Sequence, residues 1–356
     1  MNQMLIPQPA EKMTAFLLHG ERDLRAQQID RPVAGPGEVV LRIRRAGICG
    51  SDIHYYSHGK IGAFIPKRPF VLGHEFAGEV IRAGDGAGAA LIGRRVSVDP
   101  SMPCGACNHC RSGRYNLCRN MRFYGSASCD PHINGGFAEY ALAPAANCFV
   151  VPDSLGWGEA AMIEPLSVVV HAARRAGDIA GRRVLVTGGG AIGQLMALVA
   201  RAFGASQVVM SDIAVYPRGL AVNLGADSAL DAQHADFEAE ALAISQGGFE
   251  FVFEASGSPL ALAQAIAVTE RGATIVQVGT LPTPVTAPLN SIMAKELSFL
   301  GSFRFANVFE ASLDLAISRR INLAALISAV LPLADMNKAM EMAIGKHEVV
   351  KVQVEP

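Results

Sequence analysis

From residue 155 onward the chain alternates strand-like and helix-like runs, and this alternation constrains its fold more than any other feature. Glu159 to Ala176 is rich in Ala, Val and Leu and reads as a helix. Behind it come Arg183 to Thr187 as a strand, Ile192 to Phe203 as a helix, Gln207 to Ser211 as a strand and Arg218 to Leu224 as a helix. The series continues through Phe249 to Phe253, Pro259 to Val268, Ala273 to Val278 and Leu297 to Gly301. Such alternation predicts an α/β unit whose parallel sheet is covered by helices on both faces.

A glycine motif sits at the centre of this unit. The apolar strand Val184-Leu185-Val186-Thr187 runs into Gly188-Gly189-Gly190-Ala191-Ile192-Gly193, a GxGxxG followed by a helix-like run. Gly188 permits a tight turn, Gly190 lets backbone approach a pyrophosphate, and Gly193 lets helix and strand pack closely. The helix start, with Ile192 in its first turn, offers free N–H groups to phosphates. Asp212 closes the next strand, about 20 residues beyond the motif, where a carboxylate accepts from both ribose hydroxyls and repels a 2′-phosphate. These residues predict a doubly wound, Rossmann-type unit that binds NAD in preference to NADP. Val278 and Gly279, at the end of a later strand, mark where the sheet edge meets the nicotinamide half.

The first 150 residues have another texture. Glu38 to Arg45 alternates apolar and charged residues, Glu79 to Ile81 and Arg95 to Val98 are shorter runs of the same kind, and prolines at 7, 9, 32, 36, 66 and 69 argue against long helices. A chain of 356 residues with two textures reads as two domains. The last stretch, Asp335 to Val354, reads as a helix and then a strand ending in VVKVQV.

Seven cysteines are unevenly placed: Cys104, Cys107, Cys110 and Cys118 crowd into fifteen residues, while Cys49, Cys129 and Cys148 stand apart. An odd, clustered count in a long chain points to metal binding and away from a disulfide framework. Four thiolates at this spacing close a tetrahedral zinc shell with no open position, so a structural role is expected. An iron–sulfur cluster is the other chemistry four cysteines serve, and the neighbouring dinucleotide unit favours zinc.

Composition narrows the partners. With 31 basic and 32 acidic residues the formal net charge is −1, which gives no electrostatic reason to expect nucleic acid or an anionic membrane. The mean hydropathy of +0.27 raises the question of a membrane span, but Val184 to Ala200 is too short and interrupted by glycines, and Ala273 to Ala294 is broken by Pro282, Pro284 and Pro288. The N-terminus carries no secretory pattern, so a cytoplasmic location is expected.

A second set of metal-ligating residue types is dispersed: Cys49 in Gly47-Ile48-Cys49-Gly50-Ser51-Asp52-Ile53-His54, His74 and Glu75 in Gly73-His74-Glu75-Phe76-Ala77-Gly78, and Glu164 in Ile163-Glu164-Pro165-Leu166. Singly these residues carry little information. Together, Gly73-His74-Glu75-x2-Gly78-x5-Gly84, the four-cysteine loop and the central glycine motif resemble, in the same order, the zinc-dependent medium-chain alcohol and polyol dehydrogenases. The resemblance runs from about Met13 to Val354.

The resemblance implies a GroES-like β-rich catalytic domain, here 1–160 with 305–356 returning to it, and a Rossmann domain over 161–304, with the active site in the cleft between them. It implies two zinc ions per chain: a structural one on Cys104, Cys107, Cys110 and Cys118, and a catalytic one on Cys49, His74 and Glu75, with Glu164 as direct or water-mediated fourth partner and Asp52 orienting the His74 imidazole. In the plain alcohol branch the Glu164 position is a cysteine, so the glutamate resembles the sorbitol dehydrogenase branch. The implied chemistry is zinc as Lewis acid on a secondary alcohol, hydride transfer to the nicotinamide, and a proton relay through Ser51 and the cofactor ribose to His54.

Tyr55 and Arg304 match positions that touch substrate in polyol dehydrogenases. Met121 to Ala127 and Gly301 to Phe305 resemble the L-idonate 5-dehydrogenases, which implies oxidation of L-idonate to 5-keto-gluconate with Arg304 or Arg122 near the carboxylate. A sorbitol- or xylitol-type polyol dehydrogenase is the alternative, and a non-catalytic NAD-binding protein and a zinc-free reductase are the readings from other classes. Arg218 follows Asp212 by six residues, behind Pro217, where the family places an arginine four or five residues on, so its reach to the adenosine is open. The family implies a homodimer or homotetramer.

Overall fold

In a computed structural model the chain is described over residues 11–345 and 348–356. Its first half is β-rich. Strand Lys12–Gly20 pairs antiparallel with Asp23–Asp30 and with Phe70–Val71 in a three-stranded sheet. A seven-stranded sheet follows the order Cys148–Val150, Arg95–Val98, Glu75–Ala83, Glu38–Gly47, Lys351–Glu355, Ile327–Pro332, with Tyr140–Pro144 also pairing to Glu38–Gly47. The alternation expected of Glu38 to Arg45 holds from Leu41 to Arg44, with Leu41 and Ile43 inside and Arg42 and Arg44 exposed, whereas Val39 and Val40 are both buried. The two C-terminal strands therefore complete the first sheet, Val354 and Gln353 pairing with Ala46 and Gly47.

The second half is the expected doubly wound unit. Six parallel strands run in the order Ser228–Asp231, Gln207–Asp212, Arg183–Thr187, Phe249–Glu254, Thr269–Gln277, Ser298–Gly301. Their near-continuous apolar character follows from burial on both faces: Val184, Leu185, Val186, Val252, Phe253 and Ile275 are all fully buried. The strand order reverses between Arg183–Thr187 and Phe249–Glu254, so a crevice opens at the carboxyl ends of those two strands.

The helix Ile163–Ala176 packs against Ala191–Ala202 and Phe309–Ile317 in one core, which also takes in Phe305, Val308, Leu323 and Leu326. Strand pairing with the first sheet resumes at Ile327. The intervening residues pack on the helix Ile163–Ala176 and also touch the first half, as Phe309 does at Phe149 and Asn307 at Tyr115. Among the described residues no helix is long and apolar enough to cross a membrane.

Candidate active site with two metal centres

Strand pairing assembles the first metal centre. Cys49 is the N-cap of the helix Gly50–His58, two residues past the strand Glu38–Gly47, and Glu75 opens the strand Glu75–Ala83. Gly47 and Glu75 are register partners, and a Cβ on Gly47 would fall 2.2 Å from Glu75 Oε2, so only glycine admits the glutamate there. One donor atom each from Cys49, His74 and Glu75 lies within 4.8 Å of the others. Glu164 stands outside that group, on the first turn of Ile163–Ala176, and is 5% exposed.

Asp52 ties the two ligand-bearing segments together. Its carboxylate accepts from Cys49 N at 2.9 Å and from Gly73 N at 3.1 Å. Its Oδ1 is 3.8 Å from His74 Nδ1, too long for a hydrogen bond. Orientation of the imidazole by Asp52 is therefore indirect, through the backbone of Gly73.

The centre is electrostatically strained without a cation. Burial, then Glu75, pushes the Cys49 thiol up to about 12, with Lys351 opposing. Burial also lifts Glu164 well above the ordinary carboxylate range; His74 opposes it, while Glu75 and Cys49 add to it. A thiol, an imidazole and two carboxyls buried together suit a divalent ion of borderline softness, which stabilises the thiolate that burial alone disfavours.

The four-cysteine loop forms the second centre. Cys104, Cys107, Cys110 and Cys118 place their sulfurs within 4.8 Å of one another, with Cys107–Cys110 at 3.5 Å and Cys104–Cys110 at 4.0 Å. A tetrahedral site with Zn–S near 2.3 Å has sulfur–sulfur edges of about 3.8 Å. The observed edges bracket that value and exclude disulfides. Backbone N–H groups lower two of the thiols, Ala106 and Cys107 acting on Cys104 and Cys110 and Arg119 bringing Cys107 to about 6, while burial and the neighbouring sulfurs push Cys110 up to about 12.

The glycine turn after strand Arg183–Thr187 is a candidate dinucleotide site. Gly188 has φ 89° and a Cβ there would meet Ser256 at 2.7 Å; a Cβ on Gly193 would lie 1.7 Å from Gly188 O. Gly190 differs from both: its φ is an ordinary −68° and a Cβ would meet nothing within 4 Å. Neither backbone strain nor a protein contact calls for glycine at 190, so the open space beside it fits a ligand that approaches the main chain. Gly190 caps the helix Ala191–Ala202 with no side-chain hydrogen bond, leaving N–H groups of that first turn, Ile192 among them, to an anion.

Asp212 reaches back to this loop, accepting from Gly189 N at 2.6 Å and from Ala214 N at 2.8 Å. Ile213, Val215 and Tyr216 beside it are exposed, an apolar ledge of the kind an adenine covers. Val278 and Gly279 donate their N–H groups to Glu254 O, both at 2.8 Å, at the carboxyl end of the sheet.

Comparison with known proteins decides the family. Residues 35–153 match the alcohol dehydrogenase GroES-like domain, and residues 191–318 match the zinc-binding dehydrogenase domain. The sorbitol dehydrogenase of Bacillus subtilis is 34% identical, over 97% of this chain and 98% of its own. The L-idonate 5-dehydrogenase (NAD(P)(+)) of Escherichia coli is 36% identical over 89% of this chain and 91% of its own. A crystal structure of L-idonate 5-dehydrogenase from Escherichia coli superposes with a TM-score of 0.89 at 35% identity, covering 97% of this chain and 99% of that one. The chain belongs to the zinc-binding medium-chain dehydrogenases.

In this dehydrogenase Arg304 lies near the first centre, on the side of Glu164. Its guanidinium lies 4.2 Å over the Phe123 ring, and it interacts electrostatically with Glu164 and Tyr55. Phe123 in turn packs on the His74 ring at 5.5 Å. Tyr55 is fully buried, and its hydroxyl accepts from Ala127 N at 2.9 Å and pairs with Ser126 Oγ at 3.4 Å. Tyr55 thus shapes the wall by holding the 126–127 loop.

One expected residue points elsewhere, and another is engaged by protein groups. Arg122 neighbours Phe123 on one short strand, and alternation turns it outward, into a cleft of about 310 Å³ lined also by Asp30, Tyr124, His132 and Tyr140. Arg218 donates to Asp212 O at 2.9 Å and to Ile213 O at 3.2 Å, and pairs with Asp231 at 3.0 Å, so it lies beside the Asp212 segment with its guanidinium engaged by protein groups.

Ser51 and His54 share the helix Gly50–His58, Ser51 half-buried and His54 exposed at 5.7 Å from the His58 ring. Sequence reasoning missed Lys351 and Glu254. Glu254 is fully buried at the carboxyl end of its strand and accepts from Ser256 N at 2.9 Å, Gly257 N at 3.0 Å and Gln277 Nε2 at 2.5 Å. A buried-strand acid followed by Ala-Ser-Gly was the available signal for Glu254, and a lysine within VVKVQV for Lys351.

Proposed function

We propose that the chain oxidises a secondary alcohol of a sugar acid or polyol with NAD, L-idonate to 5-keto-gluconate being the reaction it serves. The observation that carries this reading is the convergence of Cys49, His74 and Glu75 with Glu164 and Arg304 at the interdomain cleft. A guanidinium in a buried polar cleft suits a carboxylate or a row of hydroxyls. With Arg122 turned away, Arg304 is the arginine left to meet the carboxylate. Relatives of comparable identity carry the names sorbitol dehydrogenase and L-idonate 5-dehydrogenase, so neutral polyols are the second reading.

Bound at Cys49, His74 and Glu75, zinc would supply a Lewis acid that lowers an alcohol's pKa, and bound NAD the hydride acceptor. The chain does the rest. The Gly188, Gly190 and Gly193 turn and the Ala191–Ala202 helix start hold the pyrophosphate, and Asp212 takes the ribose hydroxyls and favours NAD. Ser51 Oγ and the exposed His54 imidazole, on one helix, carry the alcohol proton outward. Arg304 orients the substrate's polar end, and Phe123 and Tyr55 shape the wall behind it. The structural zinc belongs on Cys104, Cys107, Cys110 and Cys118, whose thiols persist in the reducing cytoplasm. Assembly into a homodimer or homotetramer is supported by the edge strand Ser298–Gly301, with Phe299 on it and Phe303 just beyond it both exposed.

Initial rates with L-idonate, sorbitol and xylitol, each with NAD and with NADP, test the reading. L-idonate with NAD should give the highest kcat/KM. Turnover confined to neutral polyols would transfer the function to the second reading, and a zinc-loaded protein inert with all three would overturn both.

A further inference from the structure

The four-cysteine loop reaches directly to the backbone on both sides of Arg304. Asn116 Nδ2 donates to Phe303 O at 2.9 Å. Asn307 N donates to the Tyr115 hydroxyl at 2.8 Å, and Asn307 Nδ2 donates to Gly113 O at 2.6 Å. Gly113, Tyr115 and Asn116 all lie between Cys110 and Cys118, so the folded loop presents them together.

The segment they grip needs gripping. Arg304 has φ 51° and Asn307 φ 58°, left-handed values that a side chain disfavours and that persist only where the surroundings impose them. From the other side, Arg175 donates to Gly301 O at 2.7 Å and Arg174 to Asn307 O at 3.2 Å, both from the helix that carries Glu164 in its first turn. The guanidinium end is set by the same loop: Phe123, 4.2 Å beneath it, shares a small core with Cys118 and Met121, against which Cys107 and Cys110 pack.

We propose that the four-cysteine loop is a positioning element for substrate recognition, with Tyr115, Asn116 and Phe123 fixing the backbone and the guanidinium direction of Arg304. The inference rests on the reading that Arg304 meets the substrate's polar end. A merely stabilising loop could contact the rest of the protein anywhere; this one closes on the residues flanking one arginine and on the ring beneath its charge.

The zinc-loaded enzyme carrying Asn116→Ala, Tyr115→Phe or Phe123→Leu tests it, alone and combined with Arg304→Ala. For the best substrate of the panel, Asn116→Ala should raise KM about tenfold, the worth of one well-placed hydrogen bond, with a smaller change in kcat. Tyr115→Phe, the most conservative change, should do the same more weakly. In the Arg304→Ala background these changes should add less than about twofold, because the group they position is gone. Independently of turnover, hydrogen exchange of the 303–308 backbone should quicken in Tyr115→Phe, since Asn307 N–H loses its acceptor.

If Arg304→Ala raises KM but the loop variants do not, or if their effects add fully in its absence, the positioning inference fails and the substrate reading stands. If Arg304→Ala leaves KM unchanged, both fall. Unaltered exchange at 303–308 would also overturn the inference, even where KM has risen.

Discussion

Lys351 Nζ lies 2.6 and 2.8 Å from the two carboxylate oxygens of Glu75 and donates to Ile48 O at 3.1 Å. Both side chains are almost fully buried. Burial works against the ammonium, but Glu75 and Cys49 outweigh it and hold the Lys351 pKa above its ordinary value. The last strand of the chain thus supplies the charge that balances the first metal centre. Lys351→Met should leave Glu75 buried and uncompensated and destabilise the chelator-stripped protein by about 3–5 kcal/mol. Zinc should restore much of that loss, because the ion replaces the missing charge. Thermal melts of wild type and variant, stripped and zinc-loaded, check this; an equal deficit in both states would show that Lys351 acts through packing alone.

The two centres differ in how they hold an ion. The four-cysteine site is formed by thiols on one loop, and the Cys49–His74–Glu75 site draws on two segments far apart in the chain. Metal analysis of the purified protein should return about two zinc ions per chain, one leaving more readily to a chelator. Cys49→Ser should keep about one, the resistant ion. If Cys49→Ser retains the full complement, the first centre is not a zinc site.

Local features were legible in the sequence, and long-range ones were not. The GxGxxG turn and the four cysteines are contiguous, so spacing alone announces them, and the structure brings each set together. Cys49, His74 and Glu75 came only from resemblance, because strand pairing, not spacing, joins them. Arg122 stood beside Arg304 as an alternative, and only the burial of Phe123 with Arg122 exposed shows which face of that short strand looks inward. Lys351 was passed over because its partner is 276 positions away. Apolar periodicity could not say that residues 305 to 326 would share a core with both halves before strand pairing resumes at Ile327.

Asp212 tests the cofactor side. Its carboxylate ties Gly189 N to the strand end and stands beside the exposed ledge of Ile213, Val215 and Tyr216. Asp212→Ser should weaken NAD binding and improve NADP, shifting the ratio of their kcat/KM values by about tenfold or more toward NADP. Arg218, engaged by Asp231 and two carbonyls, should contribute little to NAD affinity, so Arg218→Ala should change the NAD KM less than Asp212→Ser does. An unchanged cofactor ratio in Asp212→Ser would remove Asp212 from the ribose site.

Asp99, at the end of the strand Arg95–Val98, gives a pH-dependent prediction away from the metal ligands. It is 8% exposed and accepts from Ser101 N at 2.8 Å, yet burial pushes its pKa up from 3.8 to about 6. Between those values the folded protein holds a proton that the unfolded chain has released, so stability falls as pH rises through about 4 to 6 and stays lower above. Asp99→Asn removes the buried charge while its side-chain oxygen can still accept from Ser101 N. The variant should therefore be more stable than wild type by about 2 to 3 kcal/mol at pH 7.5, with the difference closing below about pH 4. Denaturant melts of the two proteins at pH 4, 5, 6 and 7.5 measure it. A variant less stable than wild type at pH 7.5 would mean that the Asp99 carboxylate is held ionised by partners that outweigh its burial.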